Sequence, residues 1–270
     1  LTQENYFTRH NTAITNSKVR DFLTSRAYFK AKHIDGVVDD KLTPSMQLGS
    51  AVDALWSGGT VDPKCPKAQQ EKAQDIYQTL VANAMPTEGN RLLLQNVLQT
   101  TIRVQGVDIA IAGIPDALVI REHLTPTTVA GSHKSLSLSK FTNTITILDL
   151  KTTRNSALRS KDSWYWHCRD LGYFRQFSVY RELVKQNHKP RTMRFLHLAV
   201  GTTKVGLSYP VKLFEIPQSL LKEPWNEFKR AAYDICTTED WTDPVIDWAR
   251  PLRVSKPAET VKVYNLEDIE

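Results

Sequence analysis

The sequence predicts one α+β or mixed α/β domain, in which a helical N-terminal part precedes a mixed sheet. Apolar residues recur at helical spacing up to about residue 85, and they change to short β-like runs from about residue 90. One long helical pattern then interrupts the strands, which favours helices packed on a sheet. Because no segment has the composition of a linker, we expect residues 1–270 to form a single domain.

The first part of the chain is predicted to be a helical wall. Residues 1–12 are polar and expected to be loose, and the wall covers residues 13–85. Capping residues, an opening proline and closing glycines mark the helix ends. Three helices are expected: from Asn16 or Ser17 to about Phe29, from Pro44 to Gly58-Gly59, and over residues 67–84.

The second part, residues 86–240, is predicted to hold the sheet. Residues 91–101 are ambiguous between helix and strand, and the Ser/Thr-rich segment 124–142 resembles an exposed hairpin or loop. Residues 241–270 form a tail with little regular pattern. Strands are expected at 101–105, 107–112, 117–120, 143–150, 195–200, 205–209 and 211–216, with helices at 164–187 and 217–236.

Composition excludes several classes of protein. The 270 residues are 41% apolar and 24% charged, as in an ordinary globular domain, and no apolar run is long enough to cross a membrane. Three scattered cysteines without a Cys-x-x-Cys pair argue against a cysteine zinc site, an iron–sulfur cluster and a disulfide framework. They favour a cytoplasmic, reducing location. The net charge of +6 is compatible with a polyanionic partner.

The motif that carries chemistry joins Pro115-Asp116 to a strand that ends in Asp149-Leu150-Lys151. Residues two apart on a strand point to the same face, so Asp149 and Lys151 project together. Two carboxylates, assisted by the Leu150 carbonyl, suit a hard divalent ion that keeps several waters, polarises a phosphoryl oxygen and lowers the pKa of a bound water. Lys151 would orient or deprotonate that water, or offset charge in the transition state. The pattern predicts metal-dependent phosphodiester hydrolysis.

A purely structural interpretation of the same residues stays open. Asp116 would cap a turn after Pro115, and Asp149 and Lys151 would form a surface ion pair. An Asp-x-Lys sequence alone occurs by chance in most proteins of this size. The spacing from Pro115-Asp116 to the Asp-x-Lys strand gives the functional interpretation its weight.

These residues, together with Gln176-x-x-x-Tyr180, resemble the PD-(D/E)XK nuclease superfamily and its RecB-like branch. Further segments are similar to the nucleases of the RecE, or exodeoxyribonuclease VIII, type, and the likeness spans about residues 13–245. These segments are Ile14-Thr15-Asn16-Ser17, Leu48-Gly49-Ser50-Ala51, Gly172-Tyr173-Phe174-Arg175-Gln176, and Cys236 followed by Trp241.

The resemblance implies a restriction-endonuclease-like α/β core and a phage-type or recombination exonuclease that digests duplex DNA ends. It implies metal binding by Asp116 and Asp149, water activation by Lys151, and support of the site or strand contact by Gln176 and Tyr180. A homo-oligomer and a single-strand annealing or recombination protein as partner would also follow. Polarity, strand preference and processivity are left open.

Three positions depart from the family pattern. Asp53 stands where the family usually has a His, and it is a candidate further ligand because its oxygen suits Mg²⁺ or Mn²⁺. Gln95 stands where an acidic residue is often found, and Gly201 stands where a Glu often follows the second strand. The triad of Asp116, Asp149 and Lys151 is intact, so we still expect activity.

A basic, hydroxyl-rich segment after the motif is a candidate DNA-binding surface, although a solvated loop is an equal alternative. Trp164, Tyr165 and Trp166 could stack on bases, but core packing is the more common role. His197 alternates with apolar residues and is interpreted as a core or surface histidine. The candidate DNA-binding residues are Thr152, Thr153, Arg154, Arg159, Lys161 and Arg175.

Two other functions compete with the exonuclease. One is an endonuclease or single-strand nuclease of the same superfamily, similar to the CRISPR-adaptation type but without its four-cysteine cluster. The other is a catalytically degenerate DNA-binding protein, for which the altered family positions are the support. Metal-dependent cleavage separates the nucleases from the binding protein.

Overall fold

A computed structural model describes residues 12–38, 42–82, 91–125, 140–243 and 261–264. The α-helices there are α1 (Asn16–Thr24), α2 (Arg26–Phe29), α3 (Pro44–Trp56), α4 (Lys67–Ala82), α5 (Lys161–Asp170), α6 (Tyr173–His188) and α7 (Lys222–Thr237). The strands are β1 (Arg91–Leu94), β2 (Leu98–Val104), β3 (Val107–Gly113), β4 (Ala117–Thr125), β5 (Lys140–Thr153), β6 (Thr192–Gly201), β7 (Val211–Glu215) and β8 (Lys262–Tyr264). A π-helical turn (Lys30–Ile34) and 3-10 turns (Asn155–Leu158, Gln218–Leu221) complete these elements.

The predicted mixed sheet is confirmed. Within the described ranges, six strands pair in the order β1-β4-β5-β6-β7-β8, and β2 and β3 form a separate antiparallel hairpin. Strands β5 and β6 are parallel, and α5 and α6 lie in the connection between them. The other neighbours in the sheet are antiparallel. Strand β5 is therefore central, as its apolar sequence predicts.

Helices cover both faces of the sheet. On one face, Ile145 and Ile147 of β5 pack in a core with Phe177 of α6. On the other face, Leu148 and Leu150 pack in a second core with residues of α3 and α4. A strand buried on both faces has a nearly continuous apolar sequence, which is why β5 gave the clearest β signal.

The N-terminal helices begin at capping residues. Thr15 caps α1, because its side chain accepts a hydrogen bond from the Lys18 N–H, so the predicted cap at Asn16 or Ser17 is wrong by one or two residues. The predicted single helix to Phe29 is interrupted at Ser25, whose extended backbone and side chain cap α2. Pro44 opens α3, as predicted, and the preceding Thr43 caps it.

Two further predictions are corrected. The expected helix over 164–187 is two helices, because Gly172 takes a left-handed conformation with φ of 70° and ends the first. The expected strand over 205–209 is a tight turn with one bridge between Val205 and Ser208, and Gly206 has a φ of 65° there. In the tail, β8 pairs with β7.

Some predictions concern segments that the structure does not describe. The loose start 1–11, the middle of the predicted hairpin or loop (126–139) and the tail residues 244–260 and 265–270 lie outside the described residues. The ends of the 124–142 segment belong to β4 and β5. Among the described helices, none combines the length and apolarity that a membrane span requires.

Candidate active site

The candidate site begins where β4 and β5 separate. Their pairing ends at Ala117 opposite Leu148, because Pro115 has no N–H to continue the ladder. Beyond this point a side chain takes over the partner's role: Asp116 Oδ2 accepts a hydrogen bond of 2.6 Å from the Leu150 N–H. At this end of β5, a neighbouring strand therefore pairs with one edge, and the Asp116 carboxylate contacts the other edge.

Asp149 and Lys151 project together from this end of β5, as predicted. Lys151 Nζ lies 2.6 Å from Asp149 Oδ2, and both side chains are largely shielded from solvent. The ammonium also lies 4.6 Å from the centre of the Tyr173 ring, at the start of α6. The pair is buried, so the alternative of a surface ion pair is wrong.

Asp53 reaches the site from α3. Gly49 allows this helix to approach β5 closely, since a Cβ there would lie 3.1 Å from Thr152 Oγ1. Asp53 Oδ2 accepts a hydrogen bond of 2.8 Å from Gln95 Nε2. Asp53 and Gln95, which stand at two of the positions that depart from the family pattern, are therefore hydrogen-bonded to each other.

A cleft of about 520 Å³ exposes most of these groups together. Its wall contains Asp53, Asp116, Leu150 and Lys151, so three of the four predicted metal-binding residues line the cleft with the predicted lysine. Asp149 is buried and contacts Lys151, but it is not one of the lining residues. The remaining lining residues come from α3, β5 and the turn before α6, and they are Ser45, Met46, Gly49, Ser50, Thr152, Leu171 and Tyr173.

The cleft has more negative than positive charge. Burial raises the pKa of Asp116 well above its usual range, and the charges of Asp149 and Asp53 raise it further. The pKa values of Asp53 and Asp149 are also raised, chiefly by burial. Burial would lower the pKa of Lys151, but the Asp149 and Asp116 carboxylates outweigh it and raise that pKa above the ordinary value. Lys151 is therefore a cation at neutral pH.

The donor set fits a hard, partly hydrated divalent cation. Oδ1 of Asp53 and Oδ1 of Asp149 are buried and make no hydrogen bond to the described residues. Repulsion among the three carboxylates would be relieved by a cation. Within the same residues, no group of three or more His, Cys, Asp or Glu side chains is arranged so that it could hold a metal ion. Mg²⁺ commonly binds through one or two carboxylates and keeps several waters.

Gln176 and Tyr180 lie behind the site. Gln176 Nε2 donates to Tyr180 Oη at 2.9 Å, and Tyr180 Oη donates to the Ile114 carbonyl at 2.8 Å. Gly113 makes room for this contact, because a Cβ there would lie 2.9 Å from the Tyr180 ring. The pair therefore holds the segment that carries Asp116. This contact corresponds to support of the site, one of the two roles that the resemblance implies.

The predicted DNA-binding residues divide into three groups. Thr152 lines the cleft, and Arg154, Arg159 and Lys161 are exposed beyond it. Thr153 is buried and pairs with His167 Nε2 at 3.0 Å. None of these positions contradicts a DNA-binding role for the exposed group.

Arg175 requires a correction. Its guanidinium is buried and donates to Asn16 Oδ1 at 3.0 Å and to Glu227 Oε2 at 2.9 Å. It joins α6 to the N-terminal part and α7 instead of facing DNA. Of the three aromatic residues that could have stacked on bases, Trp164 and Tyr165 are core residues, and Trp166 is partly exposed beside Arg169.

Two residues beside the site were not predicted as functional. Tyr173 lies under the Lys151 ammonium, and His197 lies opposite Asp149 in the parallel pairing of β5 with β6. His197 is fully buried, with Nε2 3.5 Å from Asp149 Oδ2. A histidine in the strand after the Asp-x-Lys strand was the available signal, but sequence does not give the register that brings the two residues together.

Comparison with known proteins supports the fold. No family model matches the chain, and no curated protein matches it in sequence. A crystal structure from Eubacterium rectale, named "Putative exonuclease", is 17% identical over 95% of each chain, with a TM-score of 0.63. The structure of SSO0001 is 11% identical and covers 88% of this chain and 83% of its own, but its TM-score of 0.40 is too low to carry an argument. The chain shares the fold of the first structure.

Proposed function

We propose that this protein is a metal-dependent nuclease that hydrolyses phosphodiester bonds in DNA, and most specifically an exonuclease acting on duplex ends. One observation carries the proposal: Asp116, Asp149 and Lys151 converge with Asp53 where β5 separates from β4. A buried excess of carboxylate charge costs stability, and a structural role alone would not require it.

In this proposal Asp116 and Asp149 hold Mg²⁺ or Mn²⁺, with Asp53 and the Leu150 carbonyl as further ligands. The chemistry that such an ion supplies is polarisation of a phosphoryl oxygen and a lowered pKa of a bound water. Lys151 orients the attacking water and offsets negative charge in the transition state. Its raised pKa favours this role over that of a general base, because removing its proton beside Asp149 is unfavourable.

Gln176 and Tyr180 position Asp116 through the Ile114 carbonyl. Thr152, Arg154, Arg159 and Lys161 contact the phosphate backbone. Support for DNA as the substrate comes from the net charge of +6 and from the similarity to PD-(D/E)XK nucleases of the RecE type. The name of the Eubacterium rectale structure supports the exonuclease. A homo-oligomer and a single-strand annealing or recombination protein as partner belong to the same proposal.

A DNA-binding protein without activity is the second candidate, and one observation favours it. A Cβ at Gly201 would clash with Asn155 Oδ1, so a Glu cannot replace Gly201 without rearrangement. The loss of a family acidic position is therefore built into the packing of β6. In this candidate, DNA binding would be independent of divalent ions.

The test is cleavage of end-labelled linear duplex, covalently closed circular duplex and single-stranded DNA in Mg²⁺ or Mn²⁺. Wild type is compared with Lys151→Met and Asp149→Asn. Degradation of the linear duplex alone, lost in both variants, is the expected result, and the label gives the polarity. Cutting of the circle would indicate an endonuclease. DNA binding without cleavage in either ion would overturn the enzyme and favour the second candidate.

A further inference from the structure

His197 occupies an environment that an apolar residue would fill at lower cost. Phe177 stacks on the imidazole at 4.3 Å between ring centres, and Trp164 and Tyr173 meet it edge-on at 5.5 and 5.6 Å. Burying a polar ring among aromatic residues costs free energy unless its nitrogens are hydrogen-bonded. The site therefore requires an explanation beyond packing.

Both ring nitrogens face polar atoms. Nδ1 lies 3.7 Å from the Cys168 sulfur, and Nε2 lies 3.5 Å from Asp149 Oδ2. Nε2 makes no hydrogen bond to the described residues, and Asp149 Oδ2 is otherwise contacted by Lys151 Nζ at 2.6 Å. Two buried polar atoms that face each other just beyond hydrogen-bond distance need only a small movement to pair, and contacts in active sites often tighten when a ligand binds.

The geometry supports a directed chain of donors. The Cys168 sulfur faces Nδ1, and the Asp149 carboxylate, which can only accept, faces Nε2. A thiol that donates to Nδ1 leaves the single ring proton of a neutral imidazole on Nε2, directed at Asp149.

We infer that His197 is a positioning residue for Asp149: Cys168 fixes its tautomer, and its Nε2–H holds Oδ2 so that Oδ1 is presented to a divalent cation. The inference deepens the proposed function, on whose assignment of Asp149 as a metal ligand it rests. Lys151 contacts the same oxygen, which leaves Oδ1 as the oxygen without a protein partner among the described residues. Groups behind a ligand typically change metal affinity more than they change the fold.

The first test is independent of metal and of activity. Long-range ¹H–¹⁵N NMR on the wild-type protein in EDTA reports which nitrogen of the His197 ring is protonated. We expect the Nε2–H tautomer in wild type and a mixture or the Nδ1–H tautomer in Cys168→Ala. An Nδ1–H tautomer in wild type would overturn the inference, because that ring cannot donate to Asp149.

The second test measures metal binding without turnover. Ca²⁺ is titrated against His197→Leu and His197→Gln, and the affinity is taken from the rise in melting temperature. We expect His197→Leu to bind Ca²⁺ about 10- to 100-fold more weakly than wild type, and His197→Gln to recover most of the loss, since its amide replaces the Nε2 donor. Phe177→Leu is the matched control: it removes packing from the same ring and should lower stability without changing Ca²⁺ affinity.

The outcomes separate this inference from the proposed function. Wild-type Ca²⁺ affinity in His197→Leu, or an equal loss in Phe177→Leu, would overturn the inference even if DNA cleavage is intact. A Ca²⁺ response that depends on Asp149 and His197 in a protein that does not cleave DNA would overturn the nuclease and leave the inference standing. If His197→Leu does not fold, His197→Asn is compared with His197→Gln, and equal affinities would overturn the inference, because the shorter amide lies nearer the Nδ1 position.

Discussion

Two buried aspartates in this protein each have a lysine and a histidine as neighbours, and their pKa values are shifted in opposite directions. Asp21 lies on α1, outside the cleft, and Asp149 contacts Lys151 of the cleft wall; their side chains are 6% and 1% exposed. Asp21 has a further cation beside it, since Arg20 Nη2 lies 3.4 Å from its Oδ1. The separations are 2.8 Å to Lys32 and 2.9 Å to His33 for Asp21, and 2.6 Å to Lys151 and 3.5 Å to His197 for Asp149.

The difference lies in how completely each carboxylate is compensated. Burial alone would raise the pKa of Asp21, but hydrogen bonds from His33 and Lys32 outweigh it and bring that pKa to about 2. The pKa of Asp149 is raised instead, because burial outweighs the attraction of Lys151, a cation that also serves Asp116. A lysine and a histidine beside a buried carboxylate therefore do not by themselves distinguish a structural aspartate from a functional one. The balance of charge around it does.

Replacing each lysine with methionine should give the largest contrast. Lys151→Met should lower the rate of DNA cleavage by about 10²- to 10⁴-fold at saturating Mg²⁺, because it removes the positive charge beside the reacting phosphate. Lys32→Met should leave the rate within about twofold of wild type, since Lys32 pairs with Asp21 outside the cleft, and should lower the melting temperature. Initial rates and thermal melts check both; a rate loss in Lys32→Met as large as in Lys151→Met would break the comparison.

Neutralising the carboxylates should change stability in opposite directions. Asp21→Asn should lower the free energy of unfolding by about 2 kcal/mol at pH 7, the order indicated by the lowered pKa after allowance for solvent screening. Asp53→Asn should raise it by up to ~1 kcal/mol without metal, because it removes one of three mutually repelling carboxylates while its amide oxygen still accepts from Gln95. Urea unfolding in EDTA measures both, and changes of the same sign would contradict the interpretation.

The pH dependence of these differences should also be opposite. The lowered pKa of Asp21 gives stability that is fully present above its ordinary pKa of 3.8 and is lost as the pH falls toward about 2. The raised pKa of Asp53 means that the folded state keeps its proton more readily, so the advantage of Asp53→Asn should shrink as the pH falls toward 3.8. Urea unfolding from pH 7 to pH 3 checks both trends, and a constant difference across this range would exclude the cited carboxylates as its cause.

The smallest expected effect concerns the exposed arginines. Arg154→Ala and Arg159→Ala should each reduce the slope of log affinity against log salt by about one, if each contacts one phosphate. Arg175→Ala should instead lower stability without changing that slope, because its guanidinium is paired with Glu227 and Asn16 inside the protein. Fluorescence anisotropy with labelled DNA at several salt concentrations measures the slope. An unchanged slope in both exposed variants would remove them from the DNA interface.

The amino-acid sequence by itself determined the local features of this protein. The continuous apolar run of β5, the opening of α3 at Pro44 and the common face of Asp149 and Lys151 follow from backbone periodicity and from properties of single residues. The four-residue spacing of Gln176 and Tyr180 likewise places them on one face of α6, where their side chains meet. These features depend on residues that are close along the chain.

Only the tertiary structure decided which distant residues meet. The pairing of Asp53 with Gln95 spans 42 positions, and that of Arg175 with Asn16 spans 159. His197 faces Asp149 because β5 and β6 pair in parallel in one particular register, and a shift of that register by one residue would turn it to the other face of the sheet. Burial and net local charge distinguish the two aspartates. Both depend on which residues surround each carboxylate in space, and a linear sequence does not contain those distances.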